Sequence, residues 1–182
     1  MTTLKASIGL INPKSPTNVG GVLRAAGCYD AQQVFFTGSR YLRANKYHTD
    51  TKNVLEHIPL TQVESLEQAK PEGATTVVIE LVEGATPLPE FKHPENAFYV
   101  FGPEDGSVSK DVLTWCDEVV YVPTIGCMNL AATCNVVLYD RLAKLGGIES
   151  SDTTIFSSRD TNNSLKWQQQ KRALMRSSHL SV

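Results

Sequence analysis

Long apolar runs are missing from this sequence. No stretch approaches the length needed to cross a bilayer, and Met1–Ile11 lacks the charged start and apolar centre of a signal peptide. A soluble chain in a reducing cytoplasm, with no membrane partner, is therefore expected. Cysteine is scarce: Cys28, Cys116, Cys127 and Cys134 contain no C-x-x-C pair and sit in apolar stretches, where cysteine serves as a small hydrophobe. Neither a zinc site nor any other metal site is expected. There is no surplus of either charge, with 17 Lys and Arg against 19 Asp and Glu for a formal charge of -2. The molecule as a whole thus has no global attraction for nucleic acid, anionic membranes or acidic ligands. Internal repeats and low-complexity tracts are also absent.

What is present is an ordinary globular composition, 41% apolar and 20% charged over 182 residues. It predicts one core with room for a short extension. The charge is segregated. From Ser151 to Val182, Arg159, Lys166, Lys171, Arg172 and Arg176 face only Asp152 and Asp160, a local +3 that leaves -5 for residues 1–150.

Short β-rich runs alternate with helical patterns. Ser7–Ile11, Val34–Thr37, Thr75–Val82, Ala97–Phe101 and Glu118–Val122 read as strands; Val19–Ala26, Val63–Ala69 and Ser109–Trp115 read as helices. Asn129–Leu145 is the longest helical pattern, with Leu130, Cys134, Val137, Leu138, Leu142 and Leu145 near helical spacing and Gly146-Gly147 as a stop. The alternation predicts an α/β fold with a parallel-rich sheet and helices on both faces. The Ser-, Thr-, Asp- and Asn-rich segment Glu149–Asn163 reads as a linker, and Ser164–Arg176 resumes helical character. A folded domain over 1–148 and a polar linker with a basic helical tail over 149–182 are expected.

Ligands of open α/β sheets bind beyond the carboxyl ends of the strands. Three loops there stand out. In the first, Asn12 to Arg24, two prolines hold the loop open and Asn18 is placed to cap a helix. Arg24 leans back over Gly20 and Gly21, setting a cation near free helix amides. A capped helix with a surface arginine explains the same residues. The second loop, Phe101-Gly102-Pro103-Glu104-Asp105-Gly106, lets a ligand approach the backbone at Gly102, though an ordinary turn uses the same vocabulary. The third, Val122 to Asn129, has the apolar character of a pocket wall and ends on a helix-capping asparagine.

Taken in order, these loops resemble the motifs of the SpoU-type (TrmH-like) RNA 2'-O-ribose methyltransferases of the SPOUT superfamily. Asn18, Gly20 and Arg24 match its Asn-x-Gly-x-x-x-Arg motif, and Gly102 and Glu104 match its Gly-x-Glu motif. Val122, Pro123, Cys127, Met128 and Asn129 match its third motif, with a shorter loop and Cys127 where serine is usual. The resemblance spans residues 7–145. It implies a C-terminal trefoil knot, which general topology rules would not suggest. It also implies bound S-adenosylmethionine and a homodimer with the active site at its interface. The catalytic set would be Arg24, Asn18, Glu104 and Asn129; the cofactor would lie against Glu80, Leu81, Gly102, Val122, Cys127, Met128 and Leu130.

The implied reaction is methylation of a ribose 2'-hydroxyl in structured RNA, tRNA ahead of rRNA. Arg24 would hold the adjacent phosphate or stabilise developing alkoxide charge. RNA contacts are expected from two segments. One is Arg40 to His48, with Arg40, Arg43 and Lys46 beside Tyr41 and Tyr47; the other is the tail, through Lys166, Lys171 and Arg172 near Trp167. A solvated amphipathic helix is the plain reading of the first, and a dimer-docking helix that of the second. The altered third motif leaves a catalytically silent RNA-binding SPOUT protein as the alternative, separable by cofactor affinity. A small-molecule or protein methyltransferase is more distant, because it would need neither basic segment.

Overall fold

The structure is a computed structural model and describes residues 4–45, 58–147 and 151–166. Met1–Gly147 form one compact unit and Ile148–Val182 a second. In the first, the chain runs β1 (Lys5–Leu10), α1 (Pro16–Cys28), β2 (Gln33–Phe36), α2 (Arg40–Asn45), β3 (Leu60–Gln62), β4 (Thr75–Ile79), β5 (Thr86–Pro87), β6 (Asn96–Phe101), α3 (Lys110–Trp115), β7 (Glu118–Tyr121) and α4 (Leu130–Leu145). The strands form one sheet in the order β3-β2-β1-β6-β4-β7-β5. Every pairing is parallel.

Central parallel strands are covered on both faces, so they read as unbroken apolar runs rather than alternations. In β6 every residue from Ala97 to Phe101 is buried. Ala97, Tyr99 and Phe101 join the larger core with Val22 and Leu23 of α1 and Val137 and Leu138 of α4. Phe98 and Val100 face a smaller core, against Leu66 and against Val112, Leu113 and Trp115 of α3. The parallel α/β sheet with helices on both faces is as the sequence predicts.

Four elements differ from expectation. Val63–Ala69 is not a helix but a run of turns. The Val63 N–H is taken by the Phe36 carbonyl, which extends the β2–β3 pairing, and Pro71 closes the segment before a second turn can form. The strands β3 and β5 have three and two residues, too short for a periodicity to register. In the second unit, the segment read as a linker contains a helix, α5 (Asp152–Ser158), with Ser151 at its N-cap position and Asp152 in its first turn. Arg159 lies over the Phe156 ring, 4.3 Å from its centre. Residues 167–176 of the predicted tail helix lie outside the described residues.

Helices α1 and α4 pack against each other at glycine distance. A Cβ on Gly21 would stand 2.7 Å from the Ala131 Cβ, whereas one on Gly20 would meet nothing within 4 Å. Gly21 therefore admits α4 rather than clearing space for Arg24. Opposite stability effects are expected from the two alanine variants. Gly21→Ala should cost about 1–3 kcal/mol through overpacking. Gly20→Ala should gain up to about 1 kcal/mol, because alanine is the better helix former. Urea midpoints measure both, and an unchanged Gly21→Ala midpoint would show that the two helices stand further apart.

The carboxyl half of α4 is pinned by buried polar groups. The Arg141 guanidinium donates to the carbonyls of Pro94, Lys5 and Glu95, the last two at 3.0 and 2.7 Å. His93 has a fully buried side chain. Its Nε2 lies 2.8 Å from Asp140 Oδ2, and its Nδ1 lies 2.6 Å from the Tyr99 hydroxyl. A carboxylate only accepts, so Nε2–H donates to Asp140 and Nδ1 accepts from Tyr99. Lys144 completes the cluster, 2.7 Å from Asp140 Oδ2.

Burial holds the His93 imidazole below its usual pKa, against the pull of Asp140, and Lys144 and Arg141 push the same way as burial. The unfolded chain then takes up a proton more readily than the folded one. Stability is therefore fully present above about pH 6.5 and is lost as pH falls through the depressed folded value. Unfolding midpoints at pH 8 and pH 5.5 should fall toward acid in the wild type and change less in His93→Gln. An equal fall in both proteins would assign the acid sensitivity elsewhere.

Candidate active site

Because the sheet is parallel, the loops after β1, β4, β6 and β7 emerge at one edge. The first begins with a helix start three residues earlier than the sequence suggests. Ser15 is the N-cap of α1, its hydroxyl accepting from the Asn18 N–H at 3.3 Å, and Pro16 occupies the first helical turn, where its missing N–H costs nothing. Asn18 is thus not a cap, and its amide is free to reach other loops.

That amide links the three loops. Asn18 Nδ2 donates to Glu104 Oε1 at 3.2 Å, in the loop after β6. Asn18 Oδ1 accepts from Asn129 Nδ2 at 2.7 Å, in the loop after β7. Asn129 in turn caps α4, its Oδ1 accepting from the N–H groups of Ala131 and Ala132 at 2.9 and 3.3 Å. Glu104 also accepts from the backbone N–H groups of Lys14 at 2.8 Å and Ser15 at 2.9 Å. Burial alone would push its carboxyl up. The donors from Ser15, Lys14 and Asn18 outweigh burial and hold it below the usual carboxylate range. The chain Glu104–Asn18–Asn129 is therefore built around a fixed negative charge.

These residues border a cleft of about 290 Å³. Its walls are apolar at Ile79, Leu81, Phe101, Val122 and Leu130, and all seven residues that the sequence singles out, Glu80, Leu81, Gly102, Val122, Cys127, Met128 and Leu130, line it. Gly102 is tight: a Cβ there would lie 3.2 Å from Glu80 Oε2 and 3.3 Å from Val108 Cγ1. Among the described residues, Glu80 and Glu104 are the charged groups lining the cleft, and no Lys, Arg or His lines it. Tyr121, Thr124 and Thr133 also line it and were not foreseen. Tyr121 ends β7, and Thr133 stands one helical turn beyond Asn129, so strand-end position and helical spacing were the available signals.

Arg24 is not in this cleft. It lies exposed on α1, without a hydrogen bond or ion pair among the described residues. The first basic segment is also arranged differently from its expected role in stacking and phosphate contact. Tyr41 is buried, its ring edge-on to Phe36 with centroids 5.3 Å apart, because α2 needs an apolar anchor on the sheet. Arg40 makes two hydrogen bonds to the Asp105 carboxylate, at 2.8 and 2.7 Å, and so braces the loop that carries Glu104. Arg43 and Lys166 are exposed. Lys46, Tyr47, His48, Trp167, Lys171 and Arg172 lie outside the described residues. No group of ligands suited to a metal ion occurs among the described residues. No described helix is long and apolar enough to cross a membrane.

A parallel α/β sheet with a chain of hydrogen bonds tying three loops beside a cleft of mixed polarity is the strand-end setting in which α/β proteins hold small ligands. The model of the SpoU rRNA Methylase family matches residues 5–139, and the chain belongs to that family of RNA methyltransferases. Solved structures share the fold. One concerning the 2-OH methylation of C/U34 on tRNA is 23% identical, with a TM-score of 0.66 over 79% of this chain and 92% of that chain. The AdoMet-bound rRNA methyltransferase from Sinorhizobium meliloti is 16% identical, with a TM-score of 0.65 over 79% of this chain. This chain spans 57% of that protein. The A. aeolicus TrmH/SpoU tRNA modifying enzyme is 15% identical, with a TM-score of 0.64 over 98% of this chain and 89% of that one. No curated protein matches the sequence.

Proposed function

We propose that the chain catalyses S-adenosylmethionine-dependent methylation of a ribose 2'-hydroxyl in RNA, with tRNA as the substrate. The observation that carries this reading is the Glu104–Asn18–Asn129 chain, which gathers the three family motifs around one cleft. The cleft suits the cofactor chemically. Leu81, Val122 and Leu130 offer apolar surface for a purine, Gly102 has no side chain to obstruct it, and Glu80, Thr124 and Thr133 add polar groups. When bound, the cofactor supplies a methyl group already activated on a sulfonium. The protein's remaining work is alignment and charge.

Asn18 and Asn129 position the loops, and Glu104 fixes Asn18. Arg24 would act on the substrate rather than the cofactor. It lies outside the cleft of its own chain, and the homodimer implied by the family would bring Arg24 of one copy to the cleft of the other. Val136 and Tyr139 of α4, exposed at 37% and 61%, support that assembly as uncovered apolar surface. A trefoil knot accords with β7 lying between β4 and β5 in the sheet, so that the later strand enters the span of an earlier connection. Residues 1–148 would be the catalytic domain and 149–182 a basic extension that contacts RNA. A cytoplasmic location fits an RNA substrate.

The preference for tRNA rests on the 92% share of the C/U34 tRNA structure that this chain covers, against 57% of the AdoMet-bound rRNA methyltransferase. Incubation of the protein with methyl-labelled cofactor and separated pools of unmodified tRNA and rRNA tests the whole reading. Label should enter tRNA. Label in rRNA alone would move the substrate, and label in neither, with cofactor bound, would favour the silent RNA-binding alternative.

A further inference from the structure

We infer that Glu80 is a specificity-determining residue whose carboxylate accepts the cis-diol of a free ribose in the cleft, selecting a ribonucleoside cofactor over its deoxy forms. The inference rests on the proposed reading of the cleft as a nucleoside-cofactor site.

Glu80 follows the last residue of β4, and its backbone continues the sheet edge by donating to the Val120 carbonyl at 3.0 Å. Its side chain is held at both oxygens. Oε1 accepts from the Leu81 N–H at 2.9 Å, and Oε2 accepts from the Val108 N–H at 3.0 Å. Two such bonds fix both the position and the plane of the carboxylate. Space for it is reserved, since a side chain on Gly102 would stand 3.2 Å from Oε2.

A carboxylate offers about four lone-pair positions, and the two backbone donors use about two. One acceptor position is left on each oxygen, at the wall of the cleft. Two parallel acceptors on a rigid group match two adjacent hydroxyl donors, the geometry of a ribose cis-diol. The diol must come from a free nucleoside. Within an RNA strand the 3'-oxygen is esterified, so a substrate ribose offers only one hydroxyl. Glu104, the other carboxylate of the cleft, does not compete for this role, because Lys14, Ser15 and Asn18 already occupy it.

The test is calorimetric and needs no turnover. S-adenosylhomocysteine and its 2'-deoxy and 3'-deoxy analogues are titrated into the wild type and into Glu80→Gln, with circular dichroism confirming that the variant is folded. Each deoxy analogue should bind the wild type at least about tenfold more weakly, as for loss of a hydrogen bond to a charged group. In Glu80→Gln the ribo and deoxy ligands should differ by less than about threefold. Equal affinities in the wild type would overturn the inference without any variant and leave the cofactor reading intact. Undiminished discrimination in Glu80→Gln would overturn the role of this residue. Absence of binding by all three ligands in the wild type would overturn the cofactor reading and the inference together.

Discussion

Arg24→Ala should lower the single-turnover methylation rate by at least about a hundredfold, on the order of 3 kcal/mol, while cofactor affinity stays unchanged. Both halves follow from where Arg24 sits. It lines no part of its own chain's cleft, and in the proposed dimer it would face the RNA substrate rather than the cofactor, so removing it strips no contact from the cofactor. It is exposed and unpaired among the described residues, so its loss leaves no buried partner behind and the fold should be unaffected. A free guanidinium is nevertheless the group that an RNA phosphate and a developing alkoxide require, since its planar fork of N–H donors can reach both. Its attraction grows as charge builds on the ribose oxygen, which lowers a barrier rather than a binding constant. Arg24→Lys should recover little, because an ammonium cannot reproduce the planar fork. Near-normal single-turnover rates in Arg24→Ala at saturating RNA would leave Arg24 as a surface residue of α1.

Glu104→Gln is expected to act on both stability and cofactor binding. One carboxylate accepts from the Lys14 and Ser15 N–H groups and from the Asn18 amide. An amide offers one oxygen, so at least one backbone donor loses its acceptor and faces an NH₂ group instead. The loss of a charge-assisted bond should cost about 2 kcal/mol in urea unfolding. With its oxygen at the Oε1 position the amide keeps Ser15 and Asn18, but as a neutral acceptor, and the Lys14 N–H is the donor left stranded. The tie between the loops weakens and cofactor affinity should fall several-fold. Glu104→Gln with wild-type affinity would mean that the cleft keeps its shape without the charge at the head of the three-loop chain.

Much of the site was legible because strand ends in a parallel sheet are legible. The runs that became β1, β4, β6 and β7 are apolar enough to mark themselves, and the loops that follow must share one edge. Hence Glu80, Gly102, Val122 and Cys127, far apart in the chain, meet in one cleft. Asn129 was legible as a cap from local spacing alone. Asn18 was not, because Pro16 and Ser15 offered an earlier start and only the fold reveals that the Asn18 amide is spent on Glu104, 86 residues away. Arg40 has a tie that sequence does not show: its guanidinium is paired with Asp105, 65 residues distant, and the neighbouring Tyr41 is an anchor in the core. The turns over Val63–Ala69 show a third limit, an apolar spacing that fits a helix while the backbone is claimed by a neighbouring strand.

The most direct measurement is of where the methyl group goes. RNA treated with the protein and methyl-labelled S-adenosylmethionine is hydrolysed in alkali, which needs a free 2'-hydroxyl to cleave the chain. Label transferred to a ribose 2'-oxygen should be recovered in alkali-resistant dinucleotides and should vanish from them when Arg24→Ala replaces the wild type. Label recovered in mononucleotides, on a base, or no transfer at all by protein that binds both cofactor and RNA, would contradict a 2'-O-ribose methyltransferase.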